Sequence, residues 1–429
     1  MISEQSEFIL LRKAAYQIIT LLILLISFQY FTNSPLADYI TNVEQLFTVT
    51  VMLFIVIYLL NKLLQTQRLD AIDMLVLSMS FGIPLYSAVM AKLYWGQPLI
   101  NGFTTQKFWF IGLGSLVVFY FLTNKFISLT EIHRLMLGVA WVSLVLYIGA
   151  EVVFDAGKFR GSSFVYCNEA KGGCGFKFNN FFLGYAMLFY FIKAIRMKQN
   201  IWLIASALFF AYFLFFLQKR GIVITTAIIF FLILIFNTTA KRFTQYISLS
   251  AAIFLVALGG LFLISPQKFN TLIGQYGNFI DVIQGEETGE GSADSRLSEL
   301  LTMNKFASQH PSAWIFGNGK WSDNWGGNLS LVEKFFPSDL GIVGVFFVYG
   351  VIGFLLVHIQ FIYMFRWMRR YKFDSQPLLY THIKYFLLYY YLRSIFSGYI
   401  FFASGPSVTL FFIMIIYYFK KYESHVRLS

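Results

Sequence analysis

Long apolar stretches alternate with short polar connections along the chain. A bilayer-crossing helix needs about 20 predominantly apolar residues, and twelve such segments can be identified, although the third is weakened by Asp70, Asp73, Gly82 and Pro84 and the sixth is short. Their approximate limits are 14–31, 43–61, 71–91, 108–123, 135–154, 178–192, 201–217, 221–237, 244–264, 340–363, 378–400 and 405–419. The pattern predicts an all-α polytopic membrane protein with about 12 transmembrane helices.

The composition agrees with this prediction. Apolar residues make up 58% of the chain and charged residues 13%, whereas soluble domains contain about 45–50% and about 25%. The first apolar run follows Arg12 and Lys13 and so resembles a signal peptide. No convincing small-residue cleavage site follows it, and we therefore expect it to be retained as the first span.

The net charge of +12 could suggest a nucleic-acid partner. With the N-terminus in the cytoplasm, however, most Lys and Arg of the connecting segments lie on the cytoplasmic side. The short outer loops hold only Lys92, Lys107, Lys219 and Arg220. Because such an excess marks the cytoplasmic side of a membrane protein, the charge predicts orientation, with both termini inside, and no nucleic-acid partner.

The spans divide the chain into three regions. Residues 1–264 hold helices 1–9 and a small outer loop at 155–177. Residues 265–339 form one long outer loop between helices 9 and 10, and residues 340–429 hold helices 10–12 and a tail. Long loops translocate regardless of charge, so the polar residues of the long loop need another explanation.

The long loop contains a predicted helix and an aromatic turn. "SRLSELLTMNKFASQH" (295–310) has a helix start signal and stops before a proline. "WIFGNGKWSDNWGG" follows it, and Asn318, Lys320, Trp321 and Trp325 of this turn are candidate substrate-binding residues, because tryptophan rings stack on sugar faces. The alternative is that the tryptophans are interfacial anchors or packing residues.

Arginines on the predicted outer side indicate anion binding. Arg220 lies between two spans joined by almost no loop, Arg296 opens the loop helix, Arg393 lies inside span eleven, and Arg160 lies in the smaller loop. A mid-helix arginine costs about 2.5–3.5 kcal/mol to insert, so Arg393 needs a partner or a function. Arginine binds phosphate bidentately and stays charged. Convergence of these arginines would suit a lipid pyrophosphate, and the alternative is snorkelling or pairing with Asp or Glu.

Asp339 and His310 are the candidate titratable groups of the long loop. Asp339 precedes span ten and could accept a proton from a sugar hydroxyl, or it could be the N-cap of that span. His310 stands at a helix end before a proline and is expected to be a solvated histidine.

Cys167 and Cys174 both lie in the smaller loop. On an oxidising side of a membrane they can form a disulfide, and two ligands are too few for a structural zinc site. The sequence also contains no phosphate-binding loop with its lysine. We expect no metal and no cofactor.

The order of several motifs resembles a known family. "SADSRLSELL", "WIFGNGKW" and "FPSDLGIVGVFFVYGVIGFLL" resemble the O-antigen polymerase and ligase family of bacterial inner membranes. The "QKRG" turn is similar to that family's Ser-Arg-Gly motif, with Lys219 in place of the serine. The resemblance covers roughly Gln218 to Phe365, together with the twelve-span plan and its long late loop. Each motif is loose, but their order, spacing and sidedness together are fairly specific.

This resemblance implies a metal-independent GT-C glycosyltransferase of the bacterial inner membrane, with its active site facing the periplasm. Its substrates would be undecaprenyl-pyrophosphate-linked glycans, and Arg220 and Arg296 match the positions that bind the donor pyrophosphate. Ligases of the family carry a histidine just before the next span, where this chain has "FFPSDLG", and His310 lies too far upstream. The departure favours a Wzy-type polymerase, surrounded by membrane lipids and with a chain-length regulator as a candidate partner.

The expected reaction is attack of an acceptor hydroxyl on the anomeric carbon of a lipid-linked donor. Arg220, Arg296 and Arg393 would hold the pyrophosphate, and Asp339 would activate the hydroxyl. The alternatives are an O-antigen ligase, a capsule or exopolysaccharide polymerase, and a polysaccharide flippase or other transporter. A transporter would favour charges along several spans and inverted repeats, whereas here the polarity lies in one outer loop.

Overall fold

The computed structural model describes residues 2–66, 68–168, 173–217, 220–264, 266, 269–270, 291–322, 325, 337–368, 377–398 and 400–423. Each of the twelve apolar segments is helical over most of its length. The chain is thus a helical protein, as its apolar periodicity predicts.

The first half of the chain forms eight α-helices up to the small loop. They are α1 (Ile2–Ser27), α2 (Ala37–Thr66), α3 (Ala71–Leu77), α4 (Ile83–Trp95), α5 (Leu99–Thr104), α6 (Lys107–Ile111), α7 (Gly114–Thr123) and α8 (Leu129–Val153). A π-helical segment, Ser78–Gly82, joins α3 to α4, so the third apolar segment continues as a helix through Gly82 and Pro84.

A short β-hairpin follows α8. Strands β1 (Val165–Asn168) and β2 (Gly173–Phe176) pair antiparallel, with Cys167 opposite Cys174. The two cysteines are joined by a disulfide, with their Cα atoms 4.0 Å apart. The hairpin departs from the all-α expectation, and the disulfide cross-links its two strands in register.

The second half is again helical. It contains α9 (Phe181–Met197), α10 (Asn200–Tyr212), α11 (Arg220–Asn237), α12 (Ala240–Ile264), α13 (Gly291–Gln309), α14 (Ala313–Phe316), α15 (Ile342–Met368), α16 (Leu378–Ser397) and α17 (Gly405–Tyr418). A π-helical segment, Phe213–Leu217, extends α10, and a 3-10 turn, Pro337–Leu340, precedes α15.

Helix length and hydropathy identify a multi-pass membrane protein. Five helical stretches in the described part are long and apolar enough to cross a bilayer: Tyr39–Thr66, Ala71–Trp95, Leu129–Val153, Asn200–Leu217 and Ile342–Met368. Lys107–Thr123 and Gly221–Asn237 are shorter apolar helices. The expected number of twelve spans is not established, since a helix such as α17 has 14 residues, fewer than the about 20 of a full crossing.

The core of the bundle surrounds α9 and α17. Nearly every side chain of these two helices is buried. Helix α9 contacts α8, α10 and α16, and α17 contacts α7, α15 and α16. Aromatic rings fill much of this region; Phe181, for example, packs against both Phe386 and Phe412.

The acidic residues that weaken the third apolar segment have partners. The carboxylate of Asp73 is fully buried and pairs with Lys62, which also donates to Asp70 at 3.1 Å. Lys421, beyond α17, donates to Asp70 at 2.9 Å. A charge removed from water must be paired, and this cluster also ties the C-terminal helix to the α2–α3 junction.

Candidate functional site

Arg393 is held near one end of the bundle by a polar contact. It lies near the C-terminus of α16, is half-buried, and its Nη1 donates a hydrogen bond to Oδ1 of Asn180 at 3.1 Å. Asn180 directly precedes α9. The adjacent Asn179 fixes this junction, because its side-chain amide donates to the carbonyls of Phe28 and Gln29, both at 2.9 Å. The guanidinium therefore has a defined position between two core helices.

Arg220 begins the helix that packs beside α16. Helices α11 and α16 contact each other, with Asn237 donating to the Tyr385 hydroxyl at 2.8 Å and Thr226 lying near Tyr389. These contacts make the two helices antiparallel.

The antiparallel packing brings the two arginines to the same end of the helix pair. A helix rises 1.5 Å per residue, so Arg220 lies about 9 Å beyond Thr226, and Arg393 lies about 6 Å beyond Tyr389 in the same direction. We call this the arginine end of the bundle, defined by the positions of Arg220 and Arg393. The side chain of Arg220 is outside the described part.

Arg296 lies on α13 and is exposed. Side chains at spacings of three and four residues share one helix face, and Arg296 is in register with a buried stripe of that helix. The stripe contains Glu299, Met303, Phe306 and Ala307. Arg296 therefore lies on the same face of α13 as the buried stripe and is exposed there.

The 3-10 turn Pro337–Leu340 connects these elements. It contacts both α13 and α16, the helices that carry Arg296 and Arg393. Asp339 belongs to this turn, and α15 begins three residues later, at Ile342. The side chain of Asp339 is outside the described part, so its assignments as a base and as an N-cap both stay predictions. The backbone thus brings the segments bearing Arg220, Arg296, Arg393 and Asp339 around the C-terminal half of α16.

The aromatic turn of the long loop is packed into the bundle. Trp321 is buried against Trp95 and Phe347, with ring centroids 5.7 Å and 6.4 Å away. Asn318 is buried and donates from both its backbone N–H and its side chain to the Phe347 carbonyl, at 3.1 Å and 3.0 Å. These contacts favour the packing alternative for Trp321, and they anchor the C-terminal end of α13 to α15.

A polar network between helices holds the same turn. The Ser87 hydroxyl accepts from the Lys320 backbone at 2.9 Å and from Gln106 at 2.7 Å. Gln97 accepts from the Ser322 backbone at 2.7 Å. The Nζ of Lys320 lies 5.3 Å from the ring centroid of Phe108. Trp325 is partly exposed and is therefore more accessible than the buried Trp321.

The hairpin stands beside the start of α11. Strand β2 contacts the π-helical segment Phe213–Leu217, which ends just before Arg220. Arg160 is exposed and ends a 3-10 turn that packs on both strands. The hairpin and Arg160 therefore border the arginine end without a described contact to the other arginines.

An apolar cavity of about 100 Å³ lies between the helices that precede and follow Arg220. It is bounded by α9, α10, α11 and α12, and Leu214, Phe215 and Phe230 line it. Leu214 and Phe215 belong to the π-helical segment before Arg220. Its apolar lining suits a short stretch of hydrocarbon.

His310 and the metal-binding residue types offer no further site. His310 is exposed, with its ring against Phe306 and Tyr94. Within the described residues no group of three His, Cys, Asp or Glu side chains could hold a metal ion. Comparison of the chain with protein-family models, curated proteins and solved structures finds no match.

Two residues of the candidate site, Asn180 and Glu299, were not predicted from the sequence. Asn180 is polar, uncharged and next to an apolar run, so no sequence signal distinguishes it as the partner of Arg393. Glu299 carries a usable signal, because it is an acidic residue placed three positions after Arg296 on the apolar stripe of its helix.

Proposed function

We propose that the protein polymerises undecaprenyl-pyrophosphate-linked oligosaccharide repeat units into a polysaccharide of the O-antigen type. It would be a metal-independent glycosyltransferase. The observation that supports this proposal is the meeting of α11, α13, α16 and the 3-10 turn, which carry Arg220, Arg296, Arg393 and Asp339. Permanently charged guanidinium groups at one end of a membrane bundle suit the diphosphate of a lipid carrier.

The chemistry requires mainly positioning and charge stabilisation. A hydroxyl of the acceptor attacks the anomeric carbon of the donor glycan, and undecaprenyl pyrophosphate leaves. Diphosphate is a good leaving group, so preformed donors that stabilise its developing charge supply most of the acceleration. Arg220, Arg296 and Arg393 would hold it. A carboxylate near this end would receive the proton of the acceptor, and the sequence offers Asp339 for that role.

The distribution of Lys and Arg and the apolar cavity support a membrane setting for the proposed reaction. The asymmetry of Lys and Arg suggests twelve spans with both termini in the cytoplasm of a bacterium, so that the arginine end would face the periplasm at the inner membrane. The apolar cavity beside Leu214 and Phe215 would accept part of the polyprenyl tail. Donor and acceptor are both lipid-linked glycans, and a chain-length regulator is a candidate protein partner.

Accessible residues near this end are candidates for guiding the glycan. Trp325 and Lys320 lie on the aromatic turn, and Arg160 lies beside the hairpin. Trp321 and Asn318 would contribute by holding the turn in place, since both are buried.

The test is reconstitution of the reaction. Purified protein in lipid nanodiscs is mixed with the lipid-linked glycan that accumulates in cells lacking this protein, with no nucleotide sugar and no added metal. The expected product is a ladder of lengthening lipid-linked chains. Arg393→Ala should abolish the ladder, and Arg68→Ala, an exposed arginine outside the proposed site, should leave it intact. Absence of a ladder with the wild-type protein, or the same ladder with Arg393→Ala, would refute the proposal.

The same variant separates polymerisation from transport in cells. Loss of a transporter traps single glycan units on the cytoplasmic face. Loss of a polymerase leaves single units that still reach the outer face, which is the result we expect for Arg393→Ala.

A further inference from the structure

Glu299 is a buried carboxylate close to the proposed site. Only 5% of its surface is exposed, although charged residues are rarely buried without a reason. It lies on the buried stripe of α13, three residues after Arg296. Side chains at this spacing have Cβ atoms about 5–6 Å apart on one helix face, so the carboxylate and the guanidinium can act on one substrate.

The face of α13 that carries Glu299 is the face that its neighbours cover. Below Glu299 this stripe packs through Phe306, whose ring centroid lies 4.5 Å from that of Trp95 and 5.7 Å from that of Phe347. The helix also contacts the turn Pro337–Leu340. Above Glu299 the stripe opens at Arg296. The carboxylate thus lies between the packed part of the stripe and the exposed Arg296.

Packing and hydrogen bonds hold the C-terminal end of α13 and the segment that follows it. Asn318 and Trp321 fix the segment after α13 to α15, and the Tyr94 hydroxyl hydrogen-bonds to the Ser312 hydroxyl at 2.8 Å. A catalytic group must be held in place by packing around it, and α13 is held in this way at its C-terminal end. A solvated surface carboxylate would need none of these contacts.

We propose that Glu299 is the catalytic base of the reaction; this inference rests on the proposed function. The acceptor oxygen forms a bond to the anomeric carbon while the bond from that carbon to the diphosphate oxygen breaks. The electron pair leaves with the diphosphate held by Arg296. The proton of the acceptor hydroxyl moves to the Glu299 carboxylate and then to solvent. Glu299 thereby takes the role that the sequence offers to Asp339, and Asp339 would instead help to position the turn beside α13.

The experiment compares carboxylate-to-amide variants of the full-length protein in nanodiscs. Glu299→Gln should lower the rate of chain extension by at least 100-fold, the usual size of a general-base contribution. Its affinity for undecaprenyl pyrophosphate should stay within about twofold of wild type, because the arginines remain. Asp155→Asn, an exposed acid near the hairpin, is the matched control and should extend chains at the wild-type rate.

Chemical rescue separates catalysis from structure. Formate added to Glu299→Ala should raise its rate at least tenfold, since a small carboxylate can replace the missing one. If Glu299→Gln or Glu299→Ala fails to fold, Glu299→Asp is measured in its place and should show a reduced turnover with unchanged lipid binding.

Three results would overturn the inference. They are a Glu299→Gln or Glu299→Asp rate within threefold of wild type, failure of formate to rescue a folded Glu299→Ala, and a loss confined to Asp339→Asn. Each of these results counts only if the wild-type protein forms a ladder of products in the same assay. A wild-type protein that makes no chains would refute the proposed function, not the role of Glu299.

Discussion

The guanidinium of Arg393 donates a hydrogen bond to the side-chain carbonyl of Asn180, with 3.1 Å between the two atoms. This bond joins the end of α16 to the beginning of α9, the central helix of the bundle. It satisfies part of the hydrogen-bonding capacity of an arginine that would otherwise be costly at this depth. Because a guanidinium has several N–H donors in a fixed fork, this group can serve more than one partner at a time, a ligand among them.

Removing Asn180, one partner of Arg393, should impair activity without unfolding the protein. A hydrogen bond to a charged group contributes about 1.5–3 kcal/mol, so Asn180→Ala should slow chain extension by roughly 10-fold or more. Arg393→Lys should be at least as damaging, because an ammonium group cannot make the paired hydrogen bonds of a guanidinium. The measurement is the length of the products formed in a fixed time. Wild-type product lengths for both variants would exclude this arginine from the site.

Glycines at the aromatic turn should tolerate no side chain. Gly350 breaks the helical geometry of α15 with φ 61°, and a Cβ there would lie 2.2 Å from the Gly317 nitrogen. Gly319 has φ +70°, and its Cβ would lie 2.2 Å from the Ser87 carbonyl oxygen. Left-handed strain and overpacking together cost roughly 3 kcal/mol or more, so Gly350→Ala and Gly319→Ala should each melt well below wild type in detergent.

The matched control for these variants is Gly138→Ala. Gly138 lies within α8, and a methyl group added to its Cα would meet nothing within 4 Å. Alanine is also favoured over glycine in a helix by about 1 kcal/mol, so the melting temperature of this variant should stay at or above that of wild type. Equal melting of the turn variants and the control would show that the turn is not packed as described.

The disulfide should protect both cysteines. A thiol-reactive probe should label neither Cys167 nor Cys174 until a reductant is added, after which both should react. Cross-linking a loop of this size contributes roughly 2–3 kcal/mol by the chain-entropy model, so the double serine variant should lose local stability, seen as faster proteolysis between β1 and β2. Labelling of either cysteine in the untreated protein would contradict the pairing.

The ion cluster at the α2–α3 junction predicts a pH dependence of stability. Partial burial acts to raise the pKa of Asp70, but hydrogen bonds from Lys421 and Lys62 outweigh it, so the pKa lies below its usual value of 3.8. A carboxyl group whose pKa is lowered by folding stabilises the protein above its unfolded pKa, and this contribution disappears as the pH falls through the folded pKa. The pairs are partly exposed, so the contribution is about 1 kcal/mol or less.

Asp70→Asn isolates this contribution, because asparagine preserves the N-cap of α3. The variant should melt below wild type at pH 7, and the difference should shrink as the pH falls below 3.8. Lys421→Ala should reproduce the loss at pH 7. A difference between wild type and Asp70→Asn that stays constant across this range would show that the ion pairs are not its cause.

Much of the helical plan could be predicted from the sequence, because a bilayer leaves apolar segments few alternatives to a helix. The limits of α11 and α15 agree with the predicted segments 221–237 and 340–363 to within a few residues. The first helix differs from its prediction: it begins at Ile2, well before the predicted segment 14–31, and ends at Ser27. Polar residues continue a helix readily outside an apolar run, and hydropathy does not register them.

The contacts of the site could be predicted only in part. Arg393 could be selected because an arginine within an apolar helix is costly. Its partner, Asn180, could not, since the pairing depends on how α9 and α16 pack. Likewise, Trp321 and Trp325 look alike in sequence, and only the packing of the turn against α15 shows that Trp321 is buried. The sequence pattern of each segment therefore does not reveal which segments pack against each other, and the contacts of the site depend on that packing.

Binding of the lipid carrier alone tests the central claim most directly. The affinity of purified protein for undecaprenyl pyrophosphate and for undecaprenyl phosphate is measured in nanodiscs with wild type, Arg220→Ala, Arg296→Ala, Arg393→Ala and the control Arg68→Ala. We predict that wild type and the control bind the diphosphate more tightly than the monophosphate, and that each of the other three variants weakens diphosphate binding at least tenfold. Equal binding of the two lipids, or unchanged diphosphate binding in all three variants, would contradict the account.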